Sequence, residues 1–153
     1  MTHDDLNRRV AETRSNLLYK DLTEQIISAA IEMHRALGPG LLESAYEECL
    51  CHELGLRNIL FERQVSVPVN YKNLKLDCGY RIDLLVDNKV VVELKCVERV
   101  LPVHEAQLIT YLRLTETKLG FIFNFYTDVL TRGGVVRKVL ERGSSLRVSA
   151  PPR

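Results

Sequence analysis

The stretch Arg81–Lys95 reads RIDLLVDNKVVVELK, two aliphatic runs joined by Asp87-Asn88-Lys89. Runs of this kind belong inside a sheet, where an unpaired charge is expensive. Asp83, Glu93 and Lys95 nevertheless lie within them. Side chains alternate faces along a strand, so Glu93 and Lys95 share a face with Val91, and Asp83 shares one with Arg81 and Leu85. The loop between the runs decides whether the carboxylates meet. A two-residue Asp87-Asn88 turn would pair Asp83 with Val92 and send the carboxylates to opposite faces. A three-residue loop pairs Val86 with Val90 and Asp83 with Glu93, and an Asn in left-handed geometry suits it. The spacing predicts this odd loop, or an equivalent bulge.

Two adjacent carboxylates repel, so both stay ionised only with help. A hard cation such as Mg²⁺, which selects oxygen ligands, would supply it. Lys95 would then flank the same site, offering positive charge to a phosphoryl transition state or positioning water. The alternative is a buried Asp–Lys or Glu–Lys ion pair with the other carboxylate at an exposed strand end. On the pattern of this stretch alone, that structural role is the commoner one for charges on a half-exposed face.

Outward from the pair, Asp21-Leu22-Thr23-Glu24 has the form of a capping box opening a helix. Ile27, Ala30, Ile31, His34 and Leu37 follow at helical spacing, and Gly38-Pro39-Gly40 ends the helix. A second helix is expected from Leu42 to Leu54, ending near Gly55. The period then becomes two. Phe61–Val69 reads as a strand with Pro68 at an edge or end, Tyr71–Leu74 as a turn, and Lys75–Val86 and Lys89–Cys96 as further strands. Pro102 suits the first turn of a helix reaching Glu116. Gly120–Tyr126 is a strongly apolar strand, and Val135–Leu140 a last short one after Gly133-Gly134. The order ααβββαββ predicts an α/β (or α+β) domain around one mixed sheet. We assign residues 21–141 to that domain, 1–20 to an N-terminal extension, and 142–153 to a flexible basic C-terminal tail, GSSLRVSAPPR having little to bury.

The chain of 153 residues is long enough for a real core, and its net charge of +1 argues neither for nor against nucleic acid. No apolar run is long enough for a bilayer, and MTHDDLNRRV lacks the apolar core of a signal peptide, so a cytoplasmic, non-membrane protein is expected. The four cysteines contain no CxxC pair. Cys49, Cys51 and His52 are too close in sequence to converge on one zinc ion from a helix.

Asp83 followed by Glu93-Leu94-Lys95 resembles the Asp…Glu-x-Lys signature of the PD-(D/E)XK nuclease superfamily, with Ile82 in place of the frequent Pro. Gln107-Leu-Ile-Thr-Tyr111, one element later, resembles the Q-x-x-x-Y motif of its RecB-like and λ-exonuclease-like branches, and His104 lies on the same helix face. His34-x-x-x-Gly38-Pro39-Gly40-Leu-Leu-Glu43-Ser-Ala-Tyr46 is similar to the motif that names the GxxExxY family. The resemblance implies a restriction-endonuclease-like core, a central mixed sheet flanked by helices. It implies a Mg²⁺- or Mn²⁺-dependent nuclease acting on nucleic acid, DNA ahead of RNA, and a homodimer is compatible with engaging two strands. It further implies a metal site made by Glu43, Asp83, Glu93 and the Leu94 backbone carbonyl. Asp83, Glu93, Lys95, Gln107 and Tyr111 would be catalytic, and His34, Tyr46 and His104 would contact substrate. For His34 a satisfied core position is an equal alternative, Tyr46 reads as packing or positioning, and the structural alternative to the metal role of Glu43 is a helix-start carboxylate. Two competing functions are a catalytically inactive nucleic-acid-binding or protein-interaction module that keeps the fold, and an enzyme acting on a small phosphorylated ligand.

Overall fold

The structure, a computed structural model, describes residues 2–141, leaving aside the side chains of residues 13–16. The basic tail assigned to 142–153 lies outside the described residues. Four helices and seven strands follow in the order α1 (His3–Leu17), α2 (Lys20–Leu37), α3 (Glu43–Leu56), β1 (Phe61–Ser66), β2 (Val69–Tyr71), β3 (Leu74–Leu76), β4 (Arg81–Val86), β5 (Val90–Lys95), α4 (Pro102–Thr115), β6 (Leu119–Asn124) and β7 (Val135–Val139). Five strands form one sheet in the order β1-β4-β5-β6-β7, and β2 and β3 form a separate two-stranded ribbon. Every pairing in the main sheet is antiparallel except β5 with β6, which α4 joins as a crossover. The sheet is therefore mixed, as expected. No helix among the described residues is long and apolar enough to cross a membrane.

β5 and β6 are almost wholly buried because helices cover both faces of the sheet. On one side, Leu84, Val86, Val92, Leu94, Phe121 and Phe123 pack beneath α2 and α3. On the other, Val91 and Ile122 pack against Leu108, Tyr111 and Leu112 of α4. Gly120 lets α4 lie close to β6, since a Cβ there would stand 2.7 Å from the Leu108 Cδ1.

Several expectations need correction. The first twenty residues include a helix, α1, that the sequence reading did not anticipate; its side chains over residues 3–12 are exposed, so it carries little of the core pattern on which that reading relied. α2 starts at Lys20, with Tyr19 in left-handed geometry (φ 51°) and no side-chain cap. Asp21 thus sits inside the first turn, where its charge complements the helix dipole without capping. The buried stripe of α2 is Ile26, Ala29, Ala30, Met33 and His34, one residue out of phase with much of the expected one. Ile27 and Ile31 are only partly buried, and Leu37 is exposed. The expected strand Lys75–Val86 is two strands, interrupted at Asp77–Tyr80, where the Asp77 carboxylate accepts the Gly79 N–H at 3.2 Å and Gly79 has φ 76°. The turn before it is as read, with Lys72 and Asn73 both at positive φ.

The segment linking α2 to α3 is held by a single side chain. Tyr46 is fully buried and stacks on Phe125, with ring centroids 4.5 Å apart. Its hydroxyl donates to the Gly38 carbonyl and accepts the Leu41 N–H at 3.2 Å, bridging the Gly38-Pro39-Gly40 turn. This bridge fixes where α3 begins, and hence where Glu43 stands. Tyr46→Phe keeps the ring packing and removes both bonds. It should lower stability by about 1–2 kcal/mol in urea unfolding and speed hydrogen exchange at the Leu41 amide; unchanged exchange there would refute the bridge.

Candidate active site

The loop at Asp87-Asn88-Lys89 has the odd length that the spacing predicted. Val86 pairs with Val90, Leu85 with Val91 and Leu84 with Val92. Asp87 and Asn88 both adopt positive φ, and the Lys89 N–H closes on the Val86 carbonyl at 2.9 Å. Continued by one more row, the register sets Asp83 against Glu93.

At that row the strands part and side chains replace the ladder. The Asp83 N–H donates to Glu93 Oε1 at 3.1 Å, and the Leu94 N–H donates to Asp83 Oδ2 at 2.8 Å. Each carboxylate thus takes an amide that would otherwise be orphaned by the break. The cause lies one strand over. β1 pairs regularly with β4 on both sides of Gln64, but Gln64 itself has φ 51° and no pairing with Asp83. Both strands change face there. Phe61 packs with the α2–α3 cluster and Arg63 bonds Glu47 and Glu48 of α3, whereas Val65 and Val67 pack with the α4 cluster. Leu84 belongs to the first cluster and Ile82 to the second. Asp83 therefore stands at a twist in the sheet and does not simply share a face with Leu85, as strict alternation would have it.

The twist opens a cleft of about 180 Å³ between α3 and the sheet, lined by Glu43, Ser44, Glu47, Gln64, Asp83 and Leu94. Glu43, the first residue of α3, reaches across to accept the Cys96 N–H at 3.3 Å. Glu47, one turn on, is held by Arg63 at 2.8 Å and by the Gln64 amide. The same Gln64 amide lies 3.4 Å from Asp83 Oδ1. Glu47 and Gln64 were missed in the sequence. Glu47 had a signal, its i, i+4 spacing from Glu43, which sets two like charges on one helix face. Gln64 had none, because nothing in a strand-like run marks the one residue that turns left-handed.

Electrostatically the site is strained toward neutral carboxyls. Burial, followed by the neighbouring Asp83 charge, pushes Glu93 up to about 8. Burial likewise raises Asp83, against the Leu94 amide and Lys95, which favour its ionised form. Lys95 is half-buried and makes no direct ion pair with either carboxylate among the described residues, which sets aside the simple ion-pair alternative. On α4, the Gln107 amide donates to the Tyr111 hydroxyl at 3.0 Å, so the two residues of the Q-x-x-x-Y motif support one another. Burial raises the Tyr111 phenol, and the charges of Glu93 and Asp83 raise it further, placing Tyr111 within electrostatic reach of the pair. His104 Nδ1 accepts the Leu101 N–H at 3.0 Å at the start of α4.

His34 and Tyr46 lie in the core, the equal alternative for His34 and the packing role for Tyr46. His34 is 2% exposed, and its Nε2 donates to the Phe125 carbonyl at 3.0 Å. Tyr46 is buried beside it. Neither lines the cleft, because the stripe of α2 that carries His34 faces inward. The cysteines are free, and among the described residues no three His, Cys, Asp or Glu side chains are already gathered as a metal cluster. What Glu43, Asp83 and Glu93 present is an all-oxygen donor set, which fits a hard divalent cation.

A mixed sheet flanked by helices, with an Asp and a Glu-x-Lys converging at a break between adjacent strands, defines a nuclease-like α/β domain. The family model of the PD-(D/E)XK nuclease superfamily matches residues 20–138, and the chain belongs to that superfamily. Members are generally nucleases that use divalent metal ions. No curated protein and no solved structure matches the chain.

The raised Glu93 carboxyl sets a pH dependence. Its folded-state pKa lies above the ordinary 4.5, so its contribution to stability is full below that value and is lost as pH rises through about 8. Metal-free protein should therefore lose stability across pH 5–8 in urea unfolding, and Glu93→Gln should flatten the decline. A wild-type profile as flat as that of the variant would contradict the burial of this charge.

Proposed function

We propose that this chain is a Mg²⁺- or Mn²⁺-dependent nuclease of the GxxExxY family that hydrolyses phosphodiester bonds, with DNA as substrate. The observation that carries the reading is the Asp83–Glu93 pair: a partly buried and a buried carboxylate are brought together at a sheet break, beside a cleft that Asp83 lines with Glu43 and Leu94. Carboxylates alone repel phosphate, so the arrangement has chemical sense only with a cation between the two.

Glu43, Asp83, Glu93 and the Leu94 backbone carbonyl would hold the ion. A divalent ion there supplies Lewis-acid polarisation of the phosphate and lowers the pKa of water. Lys95 orients the attacking water and offsets negative charge developing on the phosphate. Water adds to phosphorus, the bond to the leaving oxygen breaks, and that oxygen leaves with a proton. Tyr111, supported by Gln107, borders the carboxylate pair on the α4 side, and His104 fixes the start of the same helix. The four free thiols suit a reducing compartment, and we place the enzyme in the cytoplasm.

The engagement of Asp83 and Glu93 by backbone amides favours one competing reading, an inactive module in which the carboxylates only brace the strands. The two part on activity. Asp83→Ala and Lys95→Ala should each lower Mn²⁺-dependent cleavage of DNA by at least about 100-fold, the scale of losing one electrostatic group, with circular dichroism unchanged. Cleavage that survives both substitutions, or none in the wild type, would sink the proposal.

A further inference from the structure

The β2–β3 ribbon stands apart from the main sheet, and nothing in the core explains it. Residues 71–80 are all exposed, a run unlike any other in the central part of the chain. Opposed residues of an antiparallel pair share a face, and the register sets Val69 against Leu76 and Tyr71 against Leu74, with Asn70 against Lys75 on the other side. One face of the ribbon is thus apolar and open to solvent: Tyr71 is 60% exposed and Leu74 55%. A lone two-stranded ribbon is marginal in water and has no reason to present such a face unless something covers it.

Position and charge say what that is. The ribbon extends the β1–β4 pair. Ser66 faces Arg81, the Val67 N–H donates to the Tyr80 carbonyl at 2.9 Å, and the ribbon lies beyond residues 67–68 on the β1 side and 77–80 on the β4 side. At the rise of a strand, Tyr80 is roughly 10 Å from Asp83. Tyr80 is half-exposed, and it also helps to raise the Tyr111 phenol beside the carboxylate pair. Between Val69 and Arg81 the chain carries Lys72, Lys75 and Arg81 against Asp77 alone, in a protein whose net charge is only +1. None of the three cations is in an ion pair among the described residues, and the Lys72 ammonium lies 5.3 Å from the Tyr71 ring centre. An exposed tyrosine with a lysine ammonium over its ring, on a ribbon that carries further unpaired cations, is suited to hold a nucleic-acid strand through stacked bases and phosphate contacts. A paired duplex hides its base faces and would leave the tyrosines unused.

We infer that the β2–β3 ribbon is a stacking arm for single-stranded nucleic acid, delivering an unpaired strand to the cleft at Asp83. The inference rests on the nuclease reading of that cleft and names its substrate class. Tyr71 and Tyr80 stack on bases, and Lys72, Lys75 and Arg81 contact the flanking phosphates.

The test uses the full chain in EDTA with a fluorescein-labelled 20-mer of deoxythymidine and a blunt duplex of equal length, read by anisotropy. Wild type should prefer the single strand. Tyr71→Ala with Tyr80→Ala should weaken that binding by at least about tenfold, and Phe at both positions should restore it. Lys72→Ala with Lys75→Ala should reduce the salt dependence by roughly one unit of slope. Equal binding by the double-Ala variant, or a preference for the duplex, overturns the inference. So does light scattering in which the double-Ala change turns a dimer into a monomer, since a second copy would then cover the face. Cleavage in Mn²⁺ separates the two readings. Wild-type cutting with binding indifferent to the tyrosines removes only the arm; tyrosine-dependent binding without cutting removes only the nuclease.

Discussion

Asp83 and Glu93 carry out two tasks that ordinarily exclude one another. Where β4 and β5 part, the Asp83 and Leu94 amides lose the partners a continued ladder would give them, and the two carboxylates accept them instead. The break is thereby tolerated in a buried sheet, because no donor is left bare. The same bonds draw two acids together beneath α4 and beside α3, where burial raises both. A structural bracket of this kind is stable when one of the acids is protonated or when a cation offsets their charge. The pairing of the two acids is thus built into the backbone connectivity and does not depend on a flexible loop.

The twist that creates the break is shared by β1. With Gln64 left-handed opposite Asp83, both strands exchange faces, so the residues before and after the row pack in different clusters. This lets Ile82, Val65 and Val67 close the α4 side while Arg63 turns to α3 and holds Glu47 over the cleft. The α2–α3 connection completes the frame. The Tyr46 bridge fixes the turn, and Glu43 then starts α3 at a point from which its carboxylate reaches the Cys96 amide at the end of β5.

The central pair was legible in RIDLLVDNKVVVELK because parity alone relates the loop length to the facing of Asp83 and Glu93. The elements of the sheet and α4 were legible for the same reason: their apolar periods are strong and punctuated by Gly and Pro. Parity reasoning failed at Asp83 itself, since it assumes an untwisted strand, and the twist comes from Gln64, a residue with no turn signature. It failed again at Asp77–Tyr80, where a short polar interruption sits inside an otherwise strand-like run. His34 illustrates a different limit. A histidine on the inner stripe of a helix and one aimed at a substrate have the same sequence spacing, and only the Phe125 carbonyl beside it decides. α1 was invisible because its exposed side chains leave no apolar stripe against the core to read.

These features meet at one end of β1 and β4. Those strands continue past the twist to Ser66 and Arg81, and the chain then leads, through residues 67–68 on one side and 77–80 on the other, to the separate β2–β3 ribbon with its exposed tyrosine and lysines. The Val67–Tyr80 backbone hydrogen bond ties the two connections together at the end of the β1–β4 pair, which sets the base of the ribbon close to the row that carries Asp83. The near-neutral charge of the whole chain is therefore less informative than the local distribution of charge. On the proposed reading, a strand entering here would meet cations on the ribbon first and then acids whose repulsion a divalent ion would offset.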